Sequence, residues 1–277
     1  MPTSHQQDRI QSRYGQAHSV KPPSSKAAAA LFDHLLAHRT VRSLQSKALE
    51  EGMLEQLIAA AQSAASSSNL QTWSVVAVRD SERKARLASY AGNQAHIREC
   101  PLLLVWLADL SRLERIGDHI GQETAANQYL EMFLMACIDA SLAAQNAVLC
   151  AEALGLGTVY IGAMRNKPES VIQELGLPPK VFPVFGLCIG YPKAEIETAV
   201  KPRLPQSVVL HLERYQHELE LASVQTYDQI MRQFQRSQAM AEIDWSLHST
   251  QRVADAPSLN GRDRLAEAIR AQGFPIR

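Results

Sequence analysis

The segment from Tyr129 to Leu154 is the longest strongly apolar stretch of the chain, and it limits what the rest can fold into. As a helix it would be long enough to cross a bilayer. It also contains Glu131, Asp139, Gln145, Asn146 and Glu152, too many polar groups for a lipid-facing helix. The segment therefore predicts a buried helix in a soluble core, with no membrane anchor. Its interior is full of small residues: Ala136, Ala140, Ser141, Ala143, Ala144 and Ala147. Small side chains let neighbouring helices approach closely. A helix over 125–154 is therefore expected at the centre of the fold, as a candidate to cross a subunit boundary. Gly155 and Gly157 supply its stop.

Around this helix the apolar periodicities order the chain. Helices are expected over 27–37 and 49–64, the second broken by Ser66-Ser67-Ser68-Asn69, whose side chains favour turns. Strands are expected at 73–78, 101–108, 158–161 and 184–189, and helices at 80–91 and 168–175. Residues 92–94 and 109–121 read as loops. Past Lys201-Pro202-Arg203-Leu204-Pro205 the chain turns polar and helical, clearest at 227–236 and 262–271, with a poorly periodic stretch at 240–261. Three regions follow. Residues 1–26 form a polar, mobile tail and 27–205 a core. Residues 206–277 form a helical arm, too thin in apolar residues for its own core, lying over that core or over a partner subunit.

Composition removes several function classes. The 277 residues include 28 Lys+Arg and 28 Asp+Glu, a formal net charge of zero, which argues against nucleic-acid binding. Cys100, Cys137, Cys150 and Cys188 lie far apart with no CxxC pair. They read as reduced thiols of a cytoplasmic protein, not as a disulfide frame or zinc site. The N-terminal segment lacks the apolar stretch of a signal peptide. His34 and His38 share helical spacing but have no third ligand nearby, so no metal site is expected. Gly155, Gly157 and Gly162 have the wrong spacing and follow a helix, not a strand, which excludes a dinucleotide fingerprint. P-loop, GxSxG and HExxH signatures do not occur.

Four clusters remain: His38-Arg39-Thr40-Val41-Arg42, Ser66-Ser67-Ser68-Asn69-Leu70-Gln71, Tyr160-Ile161-Gly162-Ala163-Met164-Arg165-Asn166, and Lys201-Pro202-Arg203. Paired arginines bracketing a threonine suit an anion, because guanidiniums make planar, bidentate contacts to phosphate. Taken singly, each cluster has a plainer reading. The arginines and Lys201-Pro202-Arg203 could be solvated charge, the serines only a turn, and Tyr160 to Gly162 only a strand end.

In this order the four clusters resemble the nitroreductase family of flavoproteins, and within it the oxygen-insensitive NADPH-dependent nitroreductases and flavin reductases. Gly92-Asn93-Gln94-Ala95-His96, Phe185-Gly186-Leu187-Cys188-Ile189-Gly190-Tyr191-Pro192 and Ala271-Gln272-Gly273-Phe274 continue the likeness, which covers about residues 28 to 277. The polar extension before Ala27 falls outside the family pattern. The resemblance implies an α+β fold: a mostly antiparallel sheet flanked by helices, in an intertwined homodimer with two FMN sites. It implies that Arg39, Lys201 and Arg203 hold the FMN phosphate, and that Arg42 lies near N1 and the C2 carbonyl. His38 and Thr40 would add polar contacts, Ser66, Ser67, Ser68 and Gln71 would line the site, and Gln94 would reach the pyrimidine edge. The segment Tyr160, Ile161, Gly162, Ala163 would face N5, and Arg165, Arg236 and Arg262 are candidates for NADPH. Asn69 would sit at the flavin edge.

No residue forms a covalent intermediate in that scheme, because the flavin performs the chemistry. The implied activity is ping-pong, two-electron reduction of nitroaromatics, quinones, flavins or chromate by NAD(P)H. The alternative from another class is a flavin-binding, redox-sensing or partner-binding protein without turnover.

Overall fold

The computed structural model describes residues 4–15, 20–21, 23–196, 198–216 and 220–277. The expected tail lies partly outside these residues. In chain order the helices and strands are α1 (Ser4–Tyr14), α2 (Lys26–Leu36), α3 (Met53–Gln62), β1 (Trp73–Val78), α4 (Ser81–Tyr90) and α5 (Ala95–Glu99). There follow β2 (Leu102–Asp109), α6 (Ser111–Ile120), α7 (Leu130–Ala153), β3 (Gly157–Ile161), α8 (Pro168–Leu175) and β4 (Val181–Gly190). The remainder is α9 (Gln206–Val209), α10 (Glu220–Ser237), α11 (Trp245–Gln251) and α12 (Leu265–Ala271).

The chain divides into two compact units, one of residues 1–39 and 197–258, the other of residues 40–196 and 259–277. The second holds the sheet, in the order β1-β2-β4-β3 with every neighbour antiparallel. β2 is buried along its whole length. Its alternation sorts the core: Leu103, Val105 and Leu107 meet Leu87, Ala88 and Val171 of α4 and α8. Leu102, Leu104 and Trp106 meet Leu57, Ala143, Ala144 and Ala147 of α3 and α7 on the other face. Successive side chains of a strand point to opposite faces, so one apolar run serves both layers. Each fully buried leucine or valine among them contributes roughly 1.5–3 kcal/mol.

The small residues of α7 pack inward. Ala136, Ala140, Ala143, Ala144, Ala147 and Ala151 are buried, and α3 lies against them. The opposite face exposes Leu130, Leu134, Ile138 and Leu142, one every four residues. The helix starts later than expected, after a short 3-10 turn at Ala125–Gln128. The polar stretch at 109–121 is a helix, α6, and not a loop. Its apolar side is too narrow to show as a run; Gly121 ends it in the left-handed conformation, and Lys180 pairs with Glu114 at 2.5 Å from far along the chain.

The other unit joins α1 and α2 to α9, α10 and α11. The polar segment expected as a mobile tail thus carries a helix, tied to α2 by an Arg9–Asp33 ion pair of 2.7 Å. Tyr227 of α10 is buried, packs edge-on to Trp245 and donates its hydroxyl to the Pro202 carbonyl at 2.9 Å. Asp228 accepts from the Ser246 backbone and hydroxyl at 2.9 and 2.6 Å, fixing α11 on α10. The expected arm is therefore split: residues through 258 group with α1 and α2, and 259–277 group with the sheet.

Candidate functional site

In the sheet-bearing unit several candidate residues lie on or beside β3. Thr40 bridges Thr158 in parallel, and Val41 N donates to Thr158 O at 2.9 Å. This approach requires Gly157, where an added Cβ would lie 2.8 Å from Val41 Cβ. β3 then presents Tyr160, 39% exposed, with its ring edge-on to Phe185. Ile161 is buried, so only its backbone is available. Gly162 and Ala163 open a 3-10 turn and are half-buried.

Two guanidiniums flank Gly162. A Cβ there would lie 3.5 Å from Arg165 Nη2 and 3.9 Å from Arg262 Nη1. Arg165 turns inward, donating to the Val184 carbonyl, and burial lowers its pKa from the ordinary value. Arg262 is fixed by its Nε donating to Leu259 O at 2.8 Å. It follows Gly261, whose φ of +85° brings the backbone against Asn166, an added Cβ being only 2.9 Å from Asn166 O. Among the described residues neither arginine meets a carboxylate.

The serine turn is built from below by Asp139, 2% exposed on α7. Asp139 Oδ2 accepts from Ser66 Oγ at 2.7 Å, Thr72 N at 3.1 Å and Thr72 Oγ1 at 3.0 Å, while Oδ1 accepts from Ser67 N at 3.2 Å. Ser66 Oγ in turn accepts from Gln71 N at 2.8 Å. Ser66 is therefore committed to the turn, whereas Ser67, Ser68 and Asn69 are exposed. Ser68, Asn69 and Gln71 have φ of 48°, 55° and 52°. Non-glycine residues pay for that conformation, and such strain gathers at functional loops. The Gln71 side-chain amide donates to Asn69 Oδ1 at 3.3 Å.

Gln94 is half-buried and spends one amide N–H on Ala91 O at 2.9 Å. Beside it His96 carries a buried Nε2 with no hydrogen-bond partner among the described residues. Burial and the nearby Arg42 charge hold its pKa below the ordinary value. Arg42 itself is exposed.

In the other unit, Arg39 is exposed, its Nε donating to Thr198 Oγ1 at 3.2 Å. His38 is half-buried. Lys201 and Arg203 are exposed on either side of buried Pro202, and both border a cavity of about 860 Å³. Among the described residues neither Arg39 nor Arg203 has an ion pair. Cations held by backbone and hydroxyl contacts, with no carboxylate to neutralise them, suit a phosphate group. Arg236 differs: Nε and Nη2 both bind Glu242 at 2.9 Å. Sequence reasoning overlooked Asp139, counted only as a polar break in an apolar helix, and Arg13, a basic residue of the supposed tail.

The Nitroreductase family model matches residues 35–191, and its C-terminal domain model matches residues 201–277. The NADPH-flavin oxidoreductase of Vibrio harveyi is 38% identical over 225 residues, 80% of this chain and 90% of that protein. The FMN reductase [NAD(P)H] of Bacillus subtilis strain 168 is 38% identical over 249 residues, 87% of this chain and 96% of that one. The Cr(VI) reductase of Pseudomonas sp. strain G-1 is 35% identical over 239 residues, 86% and 96% of the two chains. The solved NADPH:FMN oxidoreductase of Vibrio harveyi in complex with NAD+ superposes with a TM-score of 0.79 at 34% identity, covering 89% of this chain and 99% of that one. Sequence and fold agree over most of the chain's length: it belongs to the nitroreductase family.

Proposed function

We propose that this chain is an FMN-dependent NAD(P)H oxidoreductase that transfers two electrons by a ping-pong route to a small-molecule acceptor. The observation that carries the reading is the pair of exposed cations Arg39 and Arg203, which share one unit and have no ion pair among the described residues. Lys201 accompanies Arg203 on the same segment. That donor set fits FMN. Arg39, Lys201 and Arg203 would hold its dianionic phosphate, and Arg42 would supply positive charge to the ring edge that gains electron density on reduction. His38, Thr40, Ser67, Ser68 and Gln94 would add polar contacts, with Ser66 and Gln71 shaping the turn. The backbone of Tyr160, Ile161, Gly162 and Ala163 would form a floor beneath a flat ring. Bound FMN supplies reversible two-electron chemistry between NAD(P)H and the acceptor.

Arg262, with Arg165 behind it, offers positive charge beside that floor to a phosphate of the donor or to an anionic acceptor. Flavins and chromate are the first acceptors to test, a choice supported by relatives named for flavin, FMN and Cr(VI) reduction, followed by quinones and nitroaromatics. The functional form is a homodimer. The exposed stripe Leu130, Leu134, Ile138 and Leu142 is apolar surface of the kind a partner subunit covers. The four cysteines are unpaired, in keeping with a cytoplasmic protein.

The test is optical. The purified protein should be yellow, bleach on anaerobic addition of NADPH, and recolour with a quinone or a nitroaromatic. A colourless protein that takes up no FMN would end the reading. A yellow protein that NADPH cannot bleach would favour a redox-sensing, flavin-binding role without turnover.

A further inference from the structure

The family models begin at residue 35, so α1 lies outside them, yet its last turn reaches the segments that carry the phosphate-binding cations. Arg13 is 6% exposed. Its Nη2 donates to Leu36 O at 2.9 Å and to His38 O at 2.8 Å, and its Nη1 donates to Lys201 O at 2.9 Å. The Arg13 carbonyl accepts from Arg203 N at 2.8 Å. One side chain thus binds the carbonyls just before Arg39, and the same residue binds the backbone on both sides of Pro202. Tyr227 holds Pro202 O. Three consecutive residues, Lys201, Pro202 and Arg203, are therefore each fixed through a backbone group.

The Leu36, His38 and Lys201 carbonyls that Arg13 binds are neutral acceptors. Leu36 O belongs to the C-terminal turn of α2, where a cation is favoured by the helix dipole. A planar guanidinium can bridge three carbonyls at once, which a lysine ammonium on a flexible stem does less well. Tyr14, the next residue, contributes to the wall of the cavity that Lys201 and Arg203 border.

We propose that Arg13 is a positioning residue for the flavin phosphate: from outside the family core it locks the Arg39 segment to the Lys201–Arg203 segment. The inference rests on the FMN reading above. Arg13 touches no part of the flavin in this scheme. It fixes two backbones so that the cations they carry converge without paying the ordering cost at each binding event.

The test compares FMN with riboflavin, which lacks the phosphate. Dissociation constants for both are measured by fluorescence quenching on the deflavinated full-length protein, its R13A and R13K variants, R203A, and the R13A/R203A double variant. R13A should weaken FMN by about tenfold, the scale of one charge-assisted contact, and riboflavin by less than about twofold. R13K should recover part of the FMN affinity. R13A should cost less in the R203A background than in the parent, because the cation it positions is gone. Equal losses for FMN and riboflavin would mark a merely structural residue and overturn the proposal, as would unchanged FMN affinity in R13A. If R203A discriminates between the two ligands and R13A does not, the positioning role alone falls. If the parent binds FMN and riboflavin alike, the phosphate reading fails and takes the proposal with it.

Discussion

Asp139 Oδ2 accepts the Ser66 hydroxyl at 2.7 Å, joining the buried face of α7 to the turn that leads into β1. The same carboxylate takes three further hydrogen bonds from Ser67 and Thr72. Asp139→Ala should destabilise the fold by on the order of 3 kcal/mol, since buried donors lose a charged acceptor. Asp139→Asn, which keeps one acceptor oxygen, should cost less. Urea denaturation of the three proteins checks this, and equal midpoints would show that the turn stands without its anchor.

Arg39 and Arg203 should each matter to flavin retention. Replacing either by alanine removes a charge-assisted contact worth about 1.5–3 kcal/mol, so FMN affinity should fall by one to two decades. Equilibrium dialysis reads this directly. Variants that keep stoichiometric FMN through dilution would remove the phosphate assignment.

The two arginines suggested for the nicotinamide donor should part company. Arg236 is neutralised by Glu242 on the surface, whereas Arg262 stands by Gly162 without an ion pair among the described residues. Arg262→Ala should lower kcat/KM for NADPH by about tenfold, and Arg236→Ala should change it by less than about twofold. Steady-state kinetics with NADPH and NADH settle the matter. An Arg236 variant with the larger loss would mean that Glu242 yields to the donor.

Ile138 is 57% exposed in the middle of the apolar stripe on α7. Ile138→Glu should shift the proposed homodimer toward monomer at low micromolar concentration, because a charge would be buried at the proposed subunit contact. Sedimentation velocity on parent and variant gives the answer. A parent that sediments as a folded monomer at that concentration would refute the homodimer.

His96 should make stability depend on pH. Its folded pKa is lowered, first by burial and then by Arg42, with Glu99 acting in the opposite sense. The unfolded chain therefore binds more protons below the ordinary imidazole value of about 6.5. Stability is held above that pH and lost as pH falls toward the folded pKa. His96→Gln should flatten the decline in Tm between about pH 6.5 and 5, relative to the parent. Parallel declines would assign the acid sensitivity to other groups.

Much of the sheet was legible because β2 and β4 are near-continuous apolar runs, and burial on both faces writes that pattern directly. The start of α4 was equally readable: the helix expected from residue 80 begins at Ser81, with Asp80 accepting from Arg83 N. α6 was missed because its polar residues outnumber a narrow apolar side. α1 was missed for a related reason: Arg13 is buried by hydrogen bonds to carbonyls far along the chain, and no local pattern announces that. For the proposed site, the reading of Arg39, Arg203 and Gly162 came from residue type and order. The commitments of Ser66 to Asp139 and of Arg236 to Glu242 depend on partners that the spacing does not name.

The left-handed backbone at Ser68, Asn69 and Gln71 restricts how this enzyme can diversify. The Asp139 anchor holds residues on both sides of these positions and leaves the side chains of Ser68 and Asn69 facing outward. The dihedral angles, not the neighbours, then decide which replacements survive. Glycine, asparagine and aspartate enter such a conformation cheaply, and β-branched residues do not. A mutational library aimed at new acceptors therefore has a small permitted alphabet at Ser68 and Asn69, and a wide one at Ser67, whose backbone is not left-handed.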